Sequence, residues 1–172
     1  MYQVDEKDEV VSMTNVPQSS VGAPIPMVLS DERKVILAFY LQDTPEHWDG
    51  TTIRMVGTES DELVAIVEFQ FCYAHMCGPP NDEAFGGHPL EDRGLTPYGA
   101  FEILNSSWIR GLERMNSVHP DHKPAAFSDR HHYIFSFHDS TFECIADGFE
   151  VTETMGSMRS ILPLMSKKLW AR

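Results

Sequence analysis

The chain has few cysteines, few basic residues and no long apolar run. Its three cysteines, Cys72, Cys77 and Cys144, are an odd number at no zinc-ligand spacing, and Cys72 and Cys77 are five apart rather than in a CxxC pair. A disulfide scaffold is therefore excluded, and unbridged thiols suit a reducing compartment. Only 13 Lys+Arg stand against 26 Asp+Glu, a formal net charge of -13 in 172 residues. Nucleic-acid binding needs a basic surface to displace counterions from phosphates, so this class is excluded as well. The longest apolar run, from Val35 to Leu41, is about a third of the roughly 20 residues a spanning helix requires, so no membrane span is expected. There is no GxxxxGK[ST] and no GxGxxG after a strand, and Gly86-Gly87-His88 lacks the basic residue and following helix of a phosphate cradle. The first residues carry no basic region followed by an apolar one, and a cytoplasmic location is expected.

What is present describes a globular chain. Hydrophobic residues make up 42% and aromatics 10%, while Gly and Pro at 11 each are ordinary. The segment 12–26, with Pro17, Pro24, Pro26, Gly22, Ser19 and Ser20, reads as an extended arm. The organisation expected is an acidic, Pro- and Ser-containing N-terminal arm over 1–26 and a single α+β domain over 27–172. Charge is uneven along the chain: residues 1–153 hold 9 basic and 26 acidic groups (-17), and 154–172 hold 4 basic and none acidic (+4). That tail is amphipathic and reads as a short C-terminal helical segment, broken near Pro163, that docks on its own acidic body.

Three times an apolar strand meets a short polar turn and a second strand follows. The turns are Ser30-Asp-Glu-Arg33, Thr58-Glu-Ser-Asp-Glu62 and His138-Asp-Ser-Thr141. Alternation in the first hairpin turns Val35, Leu37, Phe39 and Leu41 inward. In the second, pairing Gly57 with Leu63 puts Leu63, Ala65, Val67, Phe69, Phe71, Tyr73 and His75 on one face of a long strand. Arg54, diagonal to Glu68, and Cys72 then lie on the reverse. In the third, pairing Phe137 with Phe142 gathers Tyr133, Phe135, Phe137, Phe142, Cys144 and Ala146 into the core and sets His132 opposite Asp147.

One main helix is expected over about 97–116, capped by Thr96-Pro97, with a stripe of Phe101, Leu104, Trp108, Leu112 and Met115. Asn105 then projects toward the core, where it ties the helix to a strand or lines a pocket. The fold class is thus α+β: a predominantly antiparallel, strongly curved sheet or partial barrel of about six strands in three hairpins, packed on that helix.

The place to look for function is the segment 76–96, which has no strand or helix period. Irregular connections of this length are usually functional. It carries Asn81, Asp82, Glu83, His88, Glu91, Asp92 and Arg93. Carboxylates and an imidazole can pass a proton or hold a metal near neutral pH, so the candidate catalytic set is His75, Asp82, Glu83 and His88. The candidate ligand contacts are Asn81, Arg93 and Asn105. No spacing assigns a metal or a cofactor, and both stay unknown at this level.

Other temptations fail on geometry. His119-Pro-Asp-His122 is an HxxH outside the helical HExxH context. Ser136 lies about 13 Å along the strand from His132, too far for a serine–histidine pair. Cys144 falls on the core face, where a thiol is inert, and Cys77 is the better-placed nucleophile. The reading favoured is a ligand-binding or protein-interaction module, inhibitor- or immunity-like, acting through the 76–96 loop on a basic protein partner or a small molecule. The competing reading is a small cytoplasmic hydrolase or lyase, metal-assisted or acid/base, using the four candidate catalytic residues. Homo-oligomerisation is left open.

Overall fold

The structure is a computed structural model that describes residues 2–42 and 55–171. Among the described residues, nine antiparallel strands lie in two sheets. The first has the order β1 (Glu9–Ser12), β6 (Ala100–Leu104), β7 (His131–Ser136), β8 (Thr141–Ala146), β5 (Ala74–Gly78). The second has the order β2 (Met27–Ser30), β3 (Val35–Tyr40), β4 (Glu62–Gln70), β9 (Gly148–Gly156). Two helices, α1 (Ser107–Asn116) and α2 (Met158–Trp170), complete the α+β fold.

Strand alternation builds the layers. Val35, Leu37, Phe39, Ala65, Val67 and Phe69 of the second sheet meet Tyr133, Phe135, Phe142, Cys144 and Ala146 of the first in one buried core. The opposite face of the second sheet, with Ile36, Ala38, Tyr40, Val64 and Ile66, is covered by Met158, Ile161, Met165 and Leu169 of α2. The outer face of the first sheet, Phe101, Ile103 and Ile134, is covered by Phe85, Leu90 and Leu95 of the irregular loop. The order of layers is loop, sheet, sheet, helix.

The two sheets are joined by one bent ribbon. β4 pairs with β9 and β5 pairs with β8, so the chain crosses between sheets twice at the same corner, at residues 71–73 and at Asp147. Asp147 N–H donates to the Gln70 carbonyl at 3.0 Å, and Tyr73 N–H donates to the Ile145 carbonyl at 2.7 Å. The bend requires Phe71 to take φ +47, a left-handed conformation uncommon for a bulky residue. It ends the long strand expected over 63–75. Phe71 is turned out to solvent, and Cys72, expected on the reverse face, enters the core between the sheets.

Several expectations change in detail. About six strands become nine among the described residues: five of the expected ones are present, the long one expected over 63–75 divides into β4 and β5, and β1, β6 and β9 are added. Arg54 and its expected pair with Glu68 fall in 43–54, outside the described residues, while the expected pairing of Gly57 with Leu63 does not form, because β3 and β9 occupy the two edges of β4. The helix begins at Ser107 rather than near residue 97. Phe101 and Leu104 suit helical spacing, but Phe101 and Ile103 equally suit a strand, and pairing of Ala100–Leu104 with both β1 and β7 settles the competition. Asn105, at φ +53, makes the turn between β6 and α1 and is exposed, not aimed at the core; short polar side chains tolerate this conformation. Ser106 caps α1, its hydroxyl accepting from Ile109 N–H at 3.3 Å. The third hairpin slips by two residues from the expected register, with Phe135 opposite Phe142 and Ser136 opposite Thr141. An even slip keeps every side chain on its expected face.

The tail helix runs unbroken through Pro163. Arg159 and Pro163 both lie on the exposed face, so the carbonyl that loses its donor is open to water. Tyr40 ties this helix to the sheet: its hydroxyl accepts from Met158 N–H at 3.0 Å and donates to the Ser60 carbonyl at 2.8 Å. Tyr40→Phe keeps the ring but strands both partners, and is expected to cost about 1–3 kcal/mol in urea unfolding. A loss within error would show that water replaces the hydroxyl.

Candidate functional site

Residues 76–78, expected to be irregular, extend β5 along β8, and the remainder of the loop, 79–96, is a packed cover tied down at both ends. Thr141 Oγ1 donates to the Pro80 carbonyl at 2.9 Å, and Asp82 N–H donates to the His138 carbonyl at 2.9 Å. Asn81 Oδ1 accepts from Ala84 N–H at 3.1 Å, a local turn that leads into the 3-10 turns Phe85–Gly87 and Glu91–Arg93. Arg93 donates to the carbonyls of Asp5 and Asp8, the latter at 3.1 Å, pinning the N-terminal segment beside the loop. Glu83 is exposed.

Beneath this cover lies a buried polar centre. Glu143 of β8 accepts from His88 Nε2 at 3.3 Å, from His132 Nε2 at 3.1 Å and from the Tyr2 hydroxyl at 2.8 Å. Leu90 N–H donates to His88 Nδ1 at 3.2 Å, and the Ser106 hydroxyl lies 2.9 Å from His132 Nδ1. With Nδ1 of each ring accepting, each Nε2 carries the proton and points it at the carboxylate. Burial works to raise the Glu143 carboxyl, but hydrogen bonds from His132, His88 and Tyr2 outweigh it and bring it down to about 2. Burial lowers His132 despite Glu143 beside it, so the ring stays neutral. Burial first, and then the charge of Glu143, push the Tyr2 hydroxyl well above its ordinary range. The centre is an ionised carboxylate held by three neutral donors. It joins the loop, the sheet, the N-terminal segment and the cap of α1.

The expected partner of His132 was Asp147, but the two-residue slip brings Glu143 to the histidine and leaves Asp147 to Arg130 at 3.1 Å. Tyr2 was missed altogether; its ring stacks on Trp108 at 5.2 Å and meets His132 edge-on. A tyrosine within an otherwise acidic, polar N-terminus was the available signal.

The other candidate residues go elsewhere. Asp82 joins Tyr98 and His138 near the surface: the Tyr98 hydroxyl donates to Asp82, and His138 Nδ1 lies 2.9 Å from the same carboxylate. The bond from Tyr98 first, and that from His138, lower the Asp82 carboxyl, and Tyr98 is pushed up to about 12. His75 stacks on Phe142 of β8, with ring centres 6.4 Å apart, rather than on the loop. The set His75, Asp82, Glu83 and His88 is thus distributed over separate places. Among the described residues, no group of three or more His, Cys, Asp or Glu is arranged to hold a metal ion.

One cleft opens beside Tyr98. Its cavity of about 230 Å³ lies between the sheets, with Phe39, Phe135 and Phe137 at its base and Thr96, Tyr98 and Ala100 on one wall. The N-terminal arm forms its roof. After β1 the arm leaves the first sheet, with Met13 N–H on the Ala100 carbonyl, and bridges to the second at Ser19 and Leu41. Gln18 latches the roof, donating from Nε2 to the Tyr98 carbonyl at 2.8 Å. Tyr98 itself has φ +60, a strained setting for an aromatic residue. No family model, no curated protein and no solved structure matches this chain.

Proposed function

We propose that the protein is a binding module for a compact, largely aromatic small molecule, held in the cleft between the sheets where the 76–96 loop ends. The observation that carries this reading is the cleft itself. It is a space between the sheets, based on Phe39, Phe135 and Phe137, that the chain's own side chains leave open, and Ser12, Gln18, Ser19, Thr96 and Tyr98 give its lining a polar share. Its volume lies just below the range of drug-sized sites, which favours a one- or two-ring ligand. Tyr98, held by Asp82 of the loop and His138 of the hairpin tip, supplies the polar wall. The arm supplies a roof that one hydrogen bond from Gln18 latches.

The same loop exposes Glu83, Glu91 and Asp92, which supports a basic protein partner as a second occupant of this end of the molecule. Such an association would weaken steeply with salt, whereas capture of an uncharged ligand on the phenylalanine base of the cleft would not. The free thiols of Cys72, Cys77 and Cys144 support a reducing, cytoplasmic setting.

The test uses indole, phenol and benzoic acid as probes in two-dimensional NMR titrations. Shifts should concentrate at Ser12–Ser19 and Thr96–Ala100. Ala100→Met, which places a flexible apolar chain in the cleft wall, should abolish them while leaving the melting temperature unchanged or raised. Shifts that survive in Ala100→Met, or no shifts at about 1 mM probe, would remove the proposal.

A further inference from the structure

Tyr2 sits in the buried polar centre as a ligand sits in a receptor. Its ring lies parallel to that of Trp108 of α1, with centres 5.2 Å apart, and both rings meet His132 of β7 at near right angles, each at 5.2 Å. Its hydroxyl donates at 2.8 Å to Oε2 of Glu143, the oxygen that also accepts from His132, while Oε1 accepts from His88. The polar receptor groups keep partners of their own when the tyrosine leaves: the Ser106 hydroxyl on His132, Leu90 N–H on His88, and both imidazoles on Glu143. A pocket held in this way is preorganised for the ring it contains.

The segment that carries the ring is lightly held. Gln3, Asp5, Glu6 and Lys7 are exposed, and among the described residues the backbone-to-backbone bonding of 2–8 is confined to Asp8 N–H on the Asp5 carbonyl at 3.3 Å. Val4 packs beside the cover, and Asp5 makes the remaining outside contacts of 3–7, its carboxylate on Arg110 at 2.6 Å and its carbonyl on Arg93. The strand ladder begins only at Glu9, opposite Leu104. Asp8, whose carboxylate accepts from Ser107 N–H, marks the inner end of what can lift. Segments without ladder bonds open locally far more readily than the sheets they lie on.

We propose that the pocket of Trp108, His132 and Glu143 is a phenol-binding site, filled here by the chain's own Tyr2, which an uncharged para-alkyl phenol from another molecule takes by displacing residues 2–7. The chemistry selects the class. The Trp108 face takes a flat ring. The carboxylate, with both imidazole protons already committed to it, takes one further O–H donor and refuses an anion, so a benzoate or an aryl phosphate is excluded. A ring without the hydroxyl leaves Glu143 Oε2 one donor short. The para position is the way out, where the Tyr2 Cβ joins the chain. Such a phenol is either a free small molecule or the tyrosine side chain of a protein segment, and Arg93 and Arg110 at the rim, which here hold Asp5, offer contacts that only the second makes. Tyr2, tethered at high effective concentration, competes with either.

The test titrates p-cresol, toluene and 4-methylbenzoate into the wild-type chain and into Tyr2→Ala, followed by NMR. In Tyr2→Ala, p-cresol should shift the Trp108 indole and His132 resonances and bind at least about tenfold more tightly than toluene, with 4-methylbenzoate silent. The wild type should need about tenfold more p-cresol, and as it binds the amide resonances of residues 3–7 should move to random-coil positions. Ala100→Met should change none of this, which separates the site from the cleft between the sheets. A peptide of residues 2–8, acetylated at its amine, supplies the other source: tighter binding than p-cresol to Tyr2→Ala assigns the site to a protein segment, and weaker binding assigns it to a small phenol. Should Tyr2→Ala fail to fold, the wild-type titration decides alone. Toluene binding as tightly as p-cresol, equal p-cresol affinity in the two chains, or amides of 3–7 that stay in place at about 10 mM p-cresol would overturn the assignment.

Discussion

Glu143→Gln should cost about 3–5 kcal/mol of folding stability at pH 7, measured by urea unfolding. The amide is nearly the same size, so the loss is electrostatic. Three donors converge on the carboxylate, from His88, His132 and Tyr2. An amide presents two N–H groups where only acceptors are wanted, leaving at least one buried donor facing another. Breaking a buried charged network by altering its centre carries costs of this size. The native protein should show the matching acid profile. A carboxyl held at about 2, against 4.5 when unfolded, contributes stability that is complete above about pH 4.5 and is lost as pH falls toward 2. The gap corresponds to about 3 kcal/mol. His132 acts in the same direction at higher pH. Its folded-state value is depressed below 6.5, so the unfolded chain takes up the proton first and stability begins to fall as pH drops below about 6.5. Unfolding midpoints from pH 7 to 2.5 should therefore decline in two stages, and Glu143→Gln should lose the lower one. A cost below about 1 kcal/mol, or an unchanged lower stage in the variant, would mean that the carboxylate is not the hub of this centre.

This centre also shows what a sequence can and cannot disclose. That Tyr133, Phe135, Phe137, Phe142, Cys144 and Ala146 face the core follows from alternation alone, and all six are buried there. That Glu143 and His132 share the opposite face follows from the same alternation. Which carboxylate meets His132 depends on register, and the turn residues His138-Asp-Ser allow two closures two residues apart. The tighter one holds, with Phe137 N–H on the Ser140 carbonyl at 2.8 Å. Long-range partners left less trace. Tyr2 reaches Glu143 across 141 positions, and neither residue carries a local signal of the other. Strand parity carried through Phe71 puts Cys72 on the reverse face, but Phe71 at positive φ breaks the alternation. The helix start is ambiguous in the sequence because Phe101, Ile103 and Leu104 satisfy two periods at once, and the decision belongs to the neighbours β1 and β7, far away in sequence. Beyond Gly78, where β5 ends, the loop is legible in the sequence as irregular and rich in polar groups, but not as a cover that buries Phe85, His88, Leu90 and Leu95.

Ending the chain after Gly156, which removes α2, should abolish the fold: no cooperative thermal transition and no monomer on size exclusion. The charge pattern, -17 over residues 1–153 and +4 over 154–172, invites an electrostatic account of why the tail docks. The contacts weigh against it. Lys168 reaches Glu68 at 3.4 Å, and Arg159 reaches Glu59 at 3.3 Å across an exposed surface. Pairs of this kind contribute about 0–1 kcal/mol each. Lys34, on the body, reaches the Lys168 and Ala171 carbonyls at 3.1 and 2.9 Å and caps the end of the helix. Against these modest terms stand Met158, Ile161, Met165 and Leu169, all buried, at about 1.5–3 kcal/mol each, or about 6–12 kcal/mol together. Deletion would also uncover Ile36, Ala38, Tyr40, Val64 and Ile66 as one apolar patch. The sum is comparable to the whole stability of a typical domain, about 5–15 kcal/mol, so the truncated chain has nothing to spare. Salt separates the two accounts in the intact protein. About 1 M sodium chloride screens the ion pairs to within a few ångströms and leaves apolar burial untouched, so α2 should stay docked and the melting temperature should hold. A folded, monomeric chain ending at Gly156, or a transition that collapses in high salt, would mean that charge holds the tail and that the second sheet is stable with its apolar face open to water.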